Sequence, residues 1–167
     1  MTMPSLPAHP APVPAPLSPV RQKIVDFAKW ACRSGVEPFW HYQQIRPIPL
    51  HLARTRKLPV ITDCSGFATM CCYAAGAPDP NGLAYNGAGY TGTLLEHLKH
   101  IDQADAQPGD LIVYGGGNGH HVVVIVEAGA DPLVASHGSE RGPNLVRHSD
   151  ETRWQIKTPG VTFLQTV

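Results

Sequence analysis

A cysteine at the predicted start of a helix is the residue of this sequence best placed to do chemistry. Residues 63–67 read Asp-Cys-Ser-Gly-Phe and follow the apolar run of residues 58–61. Apolar residues then recur at helical spacing to about residue 75, and Gly76 ends the pattern. Unpaired N–H groups and the helix dipole favour an anion in a first turn, so a thiolate at Cys64 would be stabilised. Cys64 is therefore a candidate nucleophile; the alternative is a small buried cysteine without chemical function.

Two histidines could serve this cysteine, one as its base and one as the residue that orients the base. His121 begins a predicted valine-rich strand, and His137 ends the next predicted strand. If the two strands form a hairpin, both histidines lie at the same end of it, and alternation allows them to share a face. We therefore predict a Cys64–His121–His137 arrangement. A register shifted by one residue would make His120 the base instead.

Composition excludes several other classes of protein. The 13 basic and 13 acidic residues balance, which gives no general attraction to nucleic acid or to an anionic membrane. No apolar run approaches the roughly eighteen residues of a membrane span. The four cysteines resemble neither a disulfide framework nor a pair of zinc knuckles, because two of them are adjacent in a predicted helix. No metal or organic cofactor is predicted, although a metal-dependent hydrolase using some of the nine histidines is an alternative.

The chain is predicted to consist of a leader and one domain. Residues 1–19 hold seven prolines and no Asp, Glu, Lys or Arg, which indicates an extended, disordered leader. The leader lacks the basic and uninterrupted apolar regions of a signal peptide. Residues 20–167 are enough for one domain with a sizeable core and too few for two ordinary ones.

Within that domain helices come first and strands afterwards, which is typical of an α+β fold with an antiparallel sheet. The predicted helices cover residues 20–34, 64–75 and 93–100. The predicted strands cover residues 111–114, 121–127, 133–137 and 161–165. Residues 36–59 contain three prolines with a fourth at their end, and they are predicted to form an irregular loop.

Three motifs, taken in order, resemble those of the NlpC/P60 peptidoglycan hydrolases, which are papain-like cysteine peptidases. They are Asp-Cys-Ser-Gly-Phe at 63–67, Pro-Gly-Asp-Leu at 108–111, and His-Val-Val-Val-Ile-Val at 121–126 followed by Val-Ala-Ser-His at 134–137. The resemblance covers about residues 60–140. It implies a papain-like α+β fold with N-terminal helices packed on an antiparallel sheet. It also implies that Cys64 is the nucleophile, His121 the general base and acid, and His137 the orienting residue.

The resemblance also implies residues around the reacting carbonyl. The family has an upstream tyrosine near the oxyanion site, and Tyr42 is the best candidate, although it lies 22 residues before Cys64. Asp63 and Ser65 are assigned with Tyr42 to oxyanion or substrate binding. The sequence departs from the family pattern at Val123, where a small residue is usual.

The activity implied is hydrolysis of an amide bond in the peptide stem of peptidoglycan, specifically the bond between D-glutamate and a diamino acid. The peptide stem is then the expected partner, and a monomer is expected. We expect synthesis in the cytoplasm and action at the bacterial cell wall, in phage lysis or on a virion. The alternatives are a non-catalytic wall-binding or virion structural module and an acyltransferase on the same fold.

Overall fold

A six-stranded sheet organises the chain in the computed structural model, which describes residues 15–139, 142–155 and 159–167. The α-helices are α1 (Pro19–Ala31), α2 (His51–Thr55), α3 (Cys64–Ala75), α4 (Thr91–His97) and α5 (His148–Trp154). The strands are β1 (Trp40–Tyr42), β2 (Val60–Thr62), β3 (Lys99–Ile101), β4 (Leu111–Tyr114), β5 (His121–Glu127), β6 (Leu133–Ser136), β7 (Asn144–Arg147) and β8 (Val161–Gln165).

The strands of the main sheet run in the order β3-β8-β4-β5-β6-β7, and every neighbouring pair is antiparallel. β1 and β2 form a separate parallel pair. Helices α1 and α3 pack on each other and on β5. The predicted α+β class, with N-terminal helices on an antiparallel sheet, is therefore confirmed. None of the helices in the described ranges is long and apolar enough to cross a membrane.

Local sequence signals determine where the two packing helices begin and end. The Ser18 hydroxyl accepts a hydrogen bond from the backbone N–H of Arg21 at 3.3 Å at the start of α1. The Asp63 carboxylate accepts one from the N–H of Gly66 at 2.8 Å at the start of α3. These bonds satisfy donors that have no partner within the helix. α3 ends at Gly76, whose φ of 72° is readily adopted only without a side chain.

The main sheet separates two layers of apolar side chains. The layer on the side of α1 and α3 includes Leu111, Val113, Val122, Val124, Ala135 and Leu164. The opposite layer includes Ile112, Tyr114, Val123, Ile125, Val134 and Phe163. Helix α5 lies against the second layer, because its first residue, His148, contacts both Tyr114 and Phe163. Helices α3 and α5 therefore lie on opposite faces of the same sheet.

Several short elements depart from the sequence prediction. The region predicted to be an irregular loop contains β1 and α2, and the third predicted helix ends at His97 and is followed by β3. β7 and α5 were not predicted, and α1 ends at Ala31 rather than at residue 34. The unpredicted elements β1, α2, β3, β7 and α5 span only three to seven residues each, too few for a hydrophobic period to be read. Residues 1–14 of the predicted leader lie outside the described residues.

The hairpin of β5 and β6 contains an irregularity that sets which side chains share a face. Val123 pairs with Ser136 and Ile125 with Val134, whereas Glu127 pairs with Leu133. One extra residue therefore lies between Ile125 and Glu127, as in a β-bulge. Because side chains alternate along a strand, one extra residue exchanges the two faces of β6 relative to β5.

A buried carboxylate in the Pro-Gly-Asp segment joins the two ends of the described chain. Asp110 accepts hydrogen bonds from the Arg21 guanidinium at 2.7 Å and from the backbone N–H groups of Thr166 at 3.0 Å and Gln107 at 2.9 Å. Arg21 also donates to the backbone carbonyl of Val167 at 2.6 Å. The side chains of Arg21 and Asp110 are only 6% and 1% exposed. The pair thereby fixes α1, the start of β4 and the C-terminal residues to one another.

Asp110→Asn is expected to lower the free energy of unfolding by about 3–5 kcal/mol, because it leaves the buried Arg21 guanidinium without a counter-charge. Urea denaturation followed by circular dichroism measures this change. The matched control is Glu127→Gln, which breaks a half-exposed pair with Arg147 at 3.6 Å and should change stability by less than about 1 kcal/mol. Equal effects of the two substitutions would contradict a structural role for the buried pair.

Candidate active site

Cys64 is the first residue of α3 and lies at the base of a cavity. Its thiol is nearly buried, with 4% of the residue exposed. The preceding residue, Asp63, caps the helix. Gly66 lies against the Thr62 side chain so closely that a β-carbon there would overlap the Thr62 hydroxyl. The Asp-Cys-Ser-Gly segment thus turns tightly from β2 into α3 and leaves the thiol at the helix start.

Tyr42 reaches the thiol through the pairing of two short strands. In the parallel pair of β1 and β2, Tyr42 lies beside Thr62, and Thr62 precedes Cys64 by two residues. The Tyr42 hydroxyl lies beside the Cys64 thiol. Burial, with smaller contributions from the nearby Cys64 and Asp63, raises the pKa of Tyr42 well above its usual range. Tyr42 is therefore a neutral hydrogen-bond donor at neutral pH.

His121 contacts the same thiol from the first position of β5. Its Nε2 lies 2.9 Å from the Ser136 hydroxyl oxygen and 3.3 Å from Glu151 Oε1, and its ring lies beside the Cys64 side chain. Since Nε2 is occupied by Ser136 and Glu151, Nδ1 is the nitrogen left for the thiol. Burial lowers the pKa of His121, but the hydrogen bonds and charges of Cys64 and Glu151 outweigh burial and raise it to about 9. His121 is consequently cationic at neutral pH.

Ser136 and Glu151 are contacts of His121 that sequence reasoning missed. Ser136 precedes His137 by one residue, so only the bulge in the hairpin decides that it lies on the His121 side. Glu151 lies in α5, 30 residues after His121. Its sequence signal is limited to the acidic first turn of a seven-residue helix. Nothing in that signal connects it to a distant strand.

The prediction that His137 shares a face with His121 is wrong. The bulge puts His137 on the same side as Ala135, which faces α1 and α3, and His121 on the opposite side with Val123. The His137 Nε2 donates to the Thr62 carbonyl at 3.2 Å. Burial lowers the pKa of His137 to about 4, so its ring is neutral at neutral pH. Its ring also packs edge-on against Trp40, Tyr42 and Phe67.

Asp63 and Ser65 lie beside the thiol and are held by an arginine. The Arg46 guanidinium donates to Asp63 Oδ2 at 3.0 Å, to the Ser65 hydroxyl at 3.1 Å and to the Gly89 carbonyl at 2.8 Å. The Ser65 hydroxyl in turn donates to Asp63 Oδ1 at 2.9 Å. These groups line a cavity of about 480 Å³ that contains Cys64. The cavity wall beside the thiol therefore carries one positive and one negative group.

A second cavity, of about 430 Å³, opens on the other side of the Cys64–His121 pair. It is lined by His121, Ser136 and Glu151, and also by Trp154 at the end of α5. Gln44 and His120 line both cavities. The two cavities therefore adjoin, and we call them the two arms of a groove, with Cys64 lining one arm and His121 the other.

The remaining cysteines differ from Cys64 in their surroundings. Burial raises the pKa of Cys32 to about 12 and that of Cys72 to about 12, and it raises the pKa of Cys71 well above its ordinary value. None of these three lines either arm of the groove. Within the described ranges, no cluster of three or more His, Cys, Asp or Glu side chains could hold a metal ion.

Two solved structures share this architecture. The first is an NLP/P60-family protein similar to lipoproteins from Staphylococcus aureus, with a TM-score of 0.55 and 18% identity over 96% of this chain. The chain has the NlpC/P60 fold. The second NlpC/P60-fold neighbour is the peptidoglycan hydrolase RipB from Mycobacterium tuberculosis, with a TM-score of 0.50 and 18% identity over 89% of this chain. The chain spans 45% of the staphylococcal chain and 65% of the RipB chain.

The NlpC/P60 fold confirms, at the level of architecture, the resemblance predicted from the three motifs. The sequence matches no protein-family model and no curated protein. At 18% identity the likeness to both structures is a likeness of fold. What the chain does must therefore be argued from its own side chains.

Proposed function

We propose that this chain is a cysteine amidohydrolase that cleaves an amide bond in the peptide stem of peptidoglycan. The observation that carries the proposal is the placement of Cys64, at a helix start, beside His121, whose pKa is raised, between two adjoining cavities. A thiol beside an imidazolium is the arrangement that yields a reactive thiolate. The likeness of fold to RipB, a peptidoglycan hydrolase, supports the substrate class.

The proposed reaction is acyl transfer through a thioester. The Cys64 thiolate attacks the amide carbonyl, and the carbonyl oxygen becomes an oxyanion that accepts hydrogen bonds from the Cys64 N–H and the Tyr42 hydroxyl. His121 gives its Nδ1 proton to the leaving nitrogen as the C–N bond breaks, which leaves a thioester and a free amine. Water then attacks the thioester, with His121 as base, and releases a carboxylate and the thiolate.

The groove gives this reaction a direction. The leaving amine must lie on the side of His121, because that residue protonates it. The acyl side of the substrate then lies over Cys64, in the arm with Arg46 and Asp63. This arm carries a positive and a negative side chain. It therefore suits a peptide with ionised groups better than it suits an apolar acyl chain. We propose the bond between D-glutamate and a diamino acid, because D-glutamate carries a free carboxylate on the acyl side.

The site of action that follows from this substrate is the bacterial cell wall. Action in phage lysis or on a virion stays a prediction from the sequence, as does the monomeric state.

The proposal is tested by incubating purified peptidoglycan with the protein and identifying the released fragments by mass spectrometry. We expect fragments whose masses name the bond cleaved, no release after iodoacetamide treatment, and unchanged release in the presence of EDTA. Iodoacetamide alkylates thiolates, and EDTA removes metals. Cys64 is the expected target because the other three cysteines lie outside the groove and have raised pKa values.

Three outcomes would contradict the proposal. Release that survives iodoacetamide but stops with EDTA would indicate a metal-dependent hydrolase. Binding to peptidoglycan without release of fragments would indicate a wall-binding module. A product in which the acyl group is joined to an added amine would indicate an acyltransferase.

A further inference from the structure

Helix α5 carries a buried carboxylate with no part in the sequence prediction. The side chains of Glu151 and His121 are only 9% and 7% exposed, and Glu151 Oε1 lies 3.3 Å from His121 Nε2. Burying an ionised carboxylate is costly unless hydrogen bonds and an opposite charge compensate it. Here the contacts of Glu151 with His121, Gln155 and Ser136 and the charge on His121 lower the pKa of Glu151 despite burial. Glu151 is therefore an anion beside the histidine.

We propose that Glu151 is the positioning residue of the site, a carboxylate that α5 inserts onto His121 Nε2 so that Nδ1 is aimed at Cys64 and the imidazolium is stabilised. This inference rests on the proposed function, because it assigns the third member of the Cys64–His121 system. The orienting role that the sequence predicted for His137 is thus assigned to Glu151, which lies in α5. Ser136 completes the contact, because its hydroxyl oxygen lies 2.9 Å from Nε2 and its side chain also helps to lower the pKa of Glu151.

Two anchors outside the groove hold α5 in the place this role requires. The Asp131 carboxylate accepts hydrogen bonds from the backbone N–H of Ser149 at 2.9 Å and from its hydroxyl at 2.7 Å. His148 Nδ1 lies 2.8 Å from the hydroxyl of the fully buried Tyr114. The ring of Tyr114 is stacked on His121, with an interplanar angle of 20°. The first turn of α5 is thus tied to the strand residue that supports the histidine ring.

Other titratable groups also face this pair. The groups that act on His121 or Glu151 from the surrounding elements are Cys64 of α3, Tyr114 of β4, His137 after β6 and His148 of α5. His137 carries no charge at neutral pH, since burial lowers its pKa to about 4. Burial likewise raises the pKa of Tyr114 far above neutral pH and lowers that of His148. Cys64 and Glu151 are then the two groups that raise the pKa of His121.

The test measures the rate at which iodoacetamide alkylates Cys64 as a function of pH, which requires no substrate. The variant is Glu151→Gln, which keeps the side-chain size and removes the charge. The matched control is Asp150→Asn on the same helix, whose partner is the exposed Arg153 at 3.6 Å. Mass spectrometry of the alkylated peptide identifies Cys64 as the residue that reacts.

In the wild type we expect rapid alkylation at about pH 6.5, because a cationic His121 stabilises the thiolate. Glu151→Gln is expected to slow alkylation about tenfold at that pH. A fall of one in the pKa of His121 makes its cationic form tenfold less favourable. At about pH 10 the two rates should converge, because an ordinary thiol ionises by itself. Asp150→Asn should match the wild type throughout. A merely structural role of Glu151 would not produce this convergence.

A second measurement covers the case in which Glu151→Gln does not fold. Histidine side-chain ¹⁵N NMR on the wild-type protein follows the protonation of His121 directly. The raised pKa means that the cation is complete below it and is lost as the pH rises through about 9. A midpoint near the ordinary 6.5 would overturn the proposal. So would an alkylation profile that Glu151→Gln leaves unchanged.

Failure of this inference can be told from failure of the proposed function. If Glu151→Gln leaves Cys64 reactivity unchanged while wild-type protein still releases fragments from peptidoglycan, Glu151 is not the positioning residue and the hydrolase proposal stands. If wild-type Cys64 reacts no faster at about pH 6.5 than a free thiol, the thiolate mechanism itself fails, and this inference fails with it.

Discussion

Replacing Cys64 by alanine is expected to lower the rate of fragment release from peptidoglycan by about 10⁴-fold or more, because no other group in the groove can form the thioester. The matched control is Cys32→Ala. Cys32 lies at the end of α1, outside both arms of the groove, and burial raises its pKa to about 12. Release of soluble fragments from labelled peptidoglycan measures both variants.

The comparison also separates catalysis from binding. Cys64→Ala should still sediment with insoluble peptidoglycan, because the groove is otherwise unchanged. Equal release of fragments by the wild type and by Cys64→Ala would contradict the thiol mechanism. A loss in Cys32→Ala as large as that in Cys64→Ala would mean that cysteine replacement disturbs the fold rather than the chemistry.

Replacing His121 by glutamine is expected to lower the rate of amide hydrolysis by about 10²–10⁴-fold, the usual contribution of a general acid and base. Glutamine can keep a hydrogen bond to Glu151 or Ser136, but it cannot carry a proton to the leaving amine. The adjacent variant His120→Gln should lose far less, because His120 is exposed, and it is His121 whose Nε2 lies next to Ser136 and Glu151.

This pair of variants decides which of the two adjacent histidines is the base. Steady-state rates on one defined muropeptide, measured at several pH values, are sufficient. A large loss in His120→Gln together with a small loss in His121→Gln would reverse the assignment.

The parts of the site that could be predicted from sequence are those encoded within one element. The apolar spacing after Cys64, the Asp63 cap and Gly76 together define α3, and the valine-rich run defines β5 with His121 at its start. Each of these signals lies within about a dozen residues, so no long-range pairing is needed to read them. The start of the helix and the start of the strand are therefore correct to the residue.

The position of Tyr42 could not be derived from local pattern. It depends on the parallel pairing of two three-residue strands on either side of a helix, which brings Tyr42 beside Thr62. Strands that short carry almost no periodicity. Only the resemblance to a known family directed attention to Tyr42.

The surroundings of His121 could not be predicted, because they depend on register and on a distant helix. In a regular hairpin, alternation would allow His121 and His137 to share a face, but the bulge adds a residue that no sequence pattern marks. Glu151 belongs to α5, which follows two further strands in the chain, β6 and β7. Both errors concern contacts between elements rather than the elements themselves.

The extra residue between β5 and β6 also bears on how such a site could change over time. If β5 and β6 kept their present lengths but paired without the bulge, β6 would shift by one residue and His137 would replace Ser136 on the His121 face. No chemically active residue would have to mutate. A shift of one residue in the pairing of these two strands would then be enough to exchange the neighbour of the base, which makes strand register a source of catalytic variety in this fold.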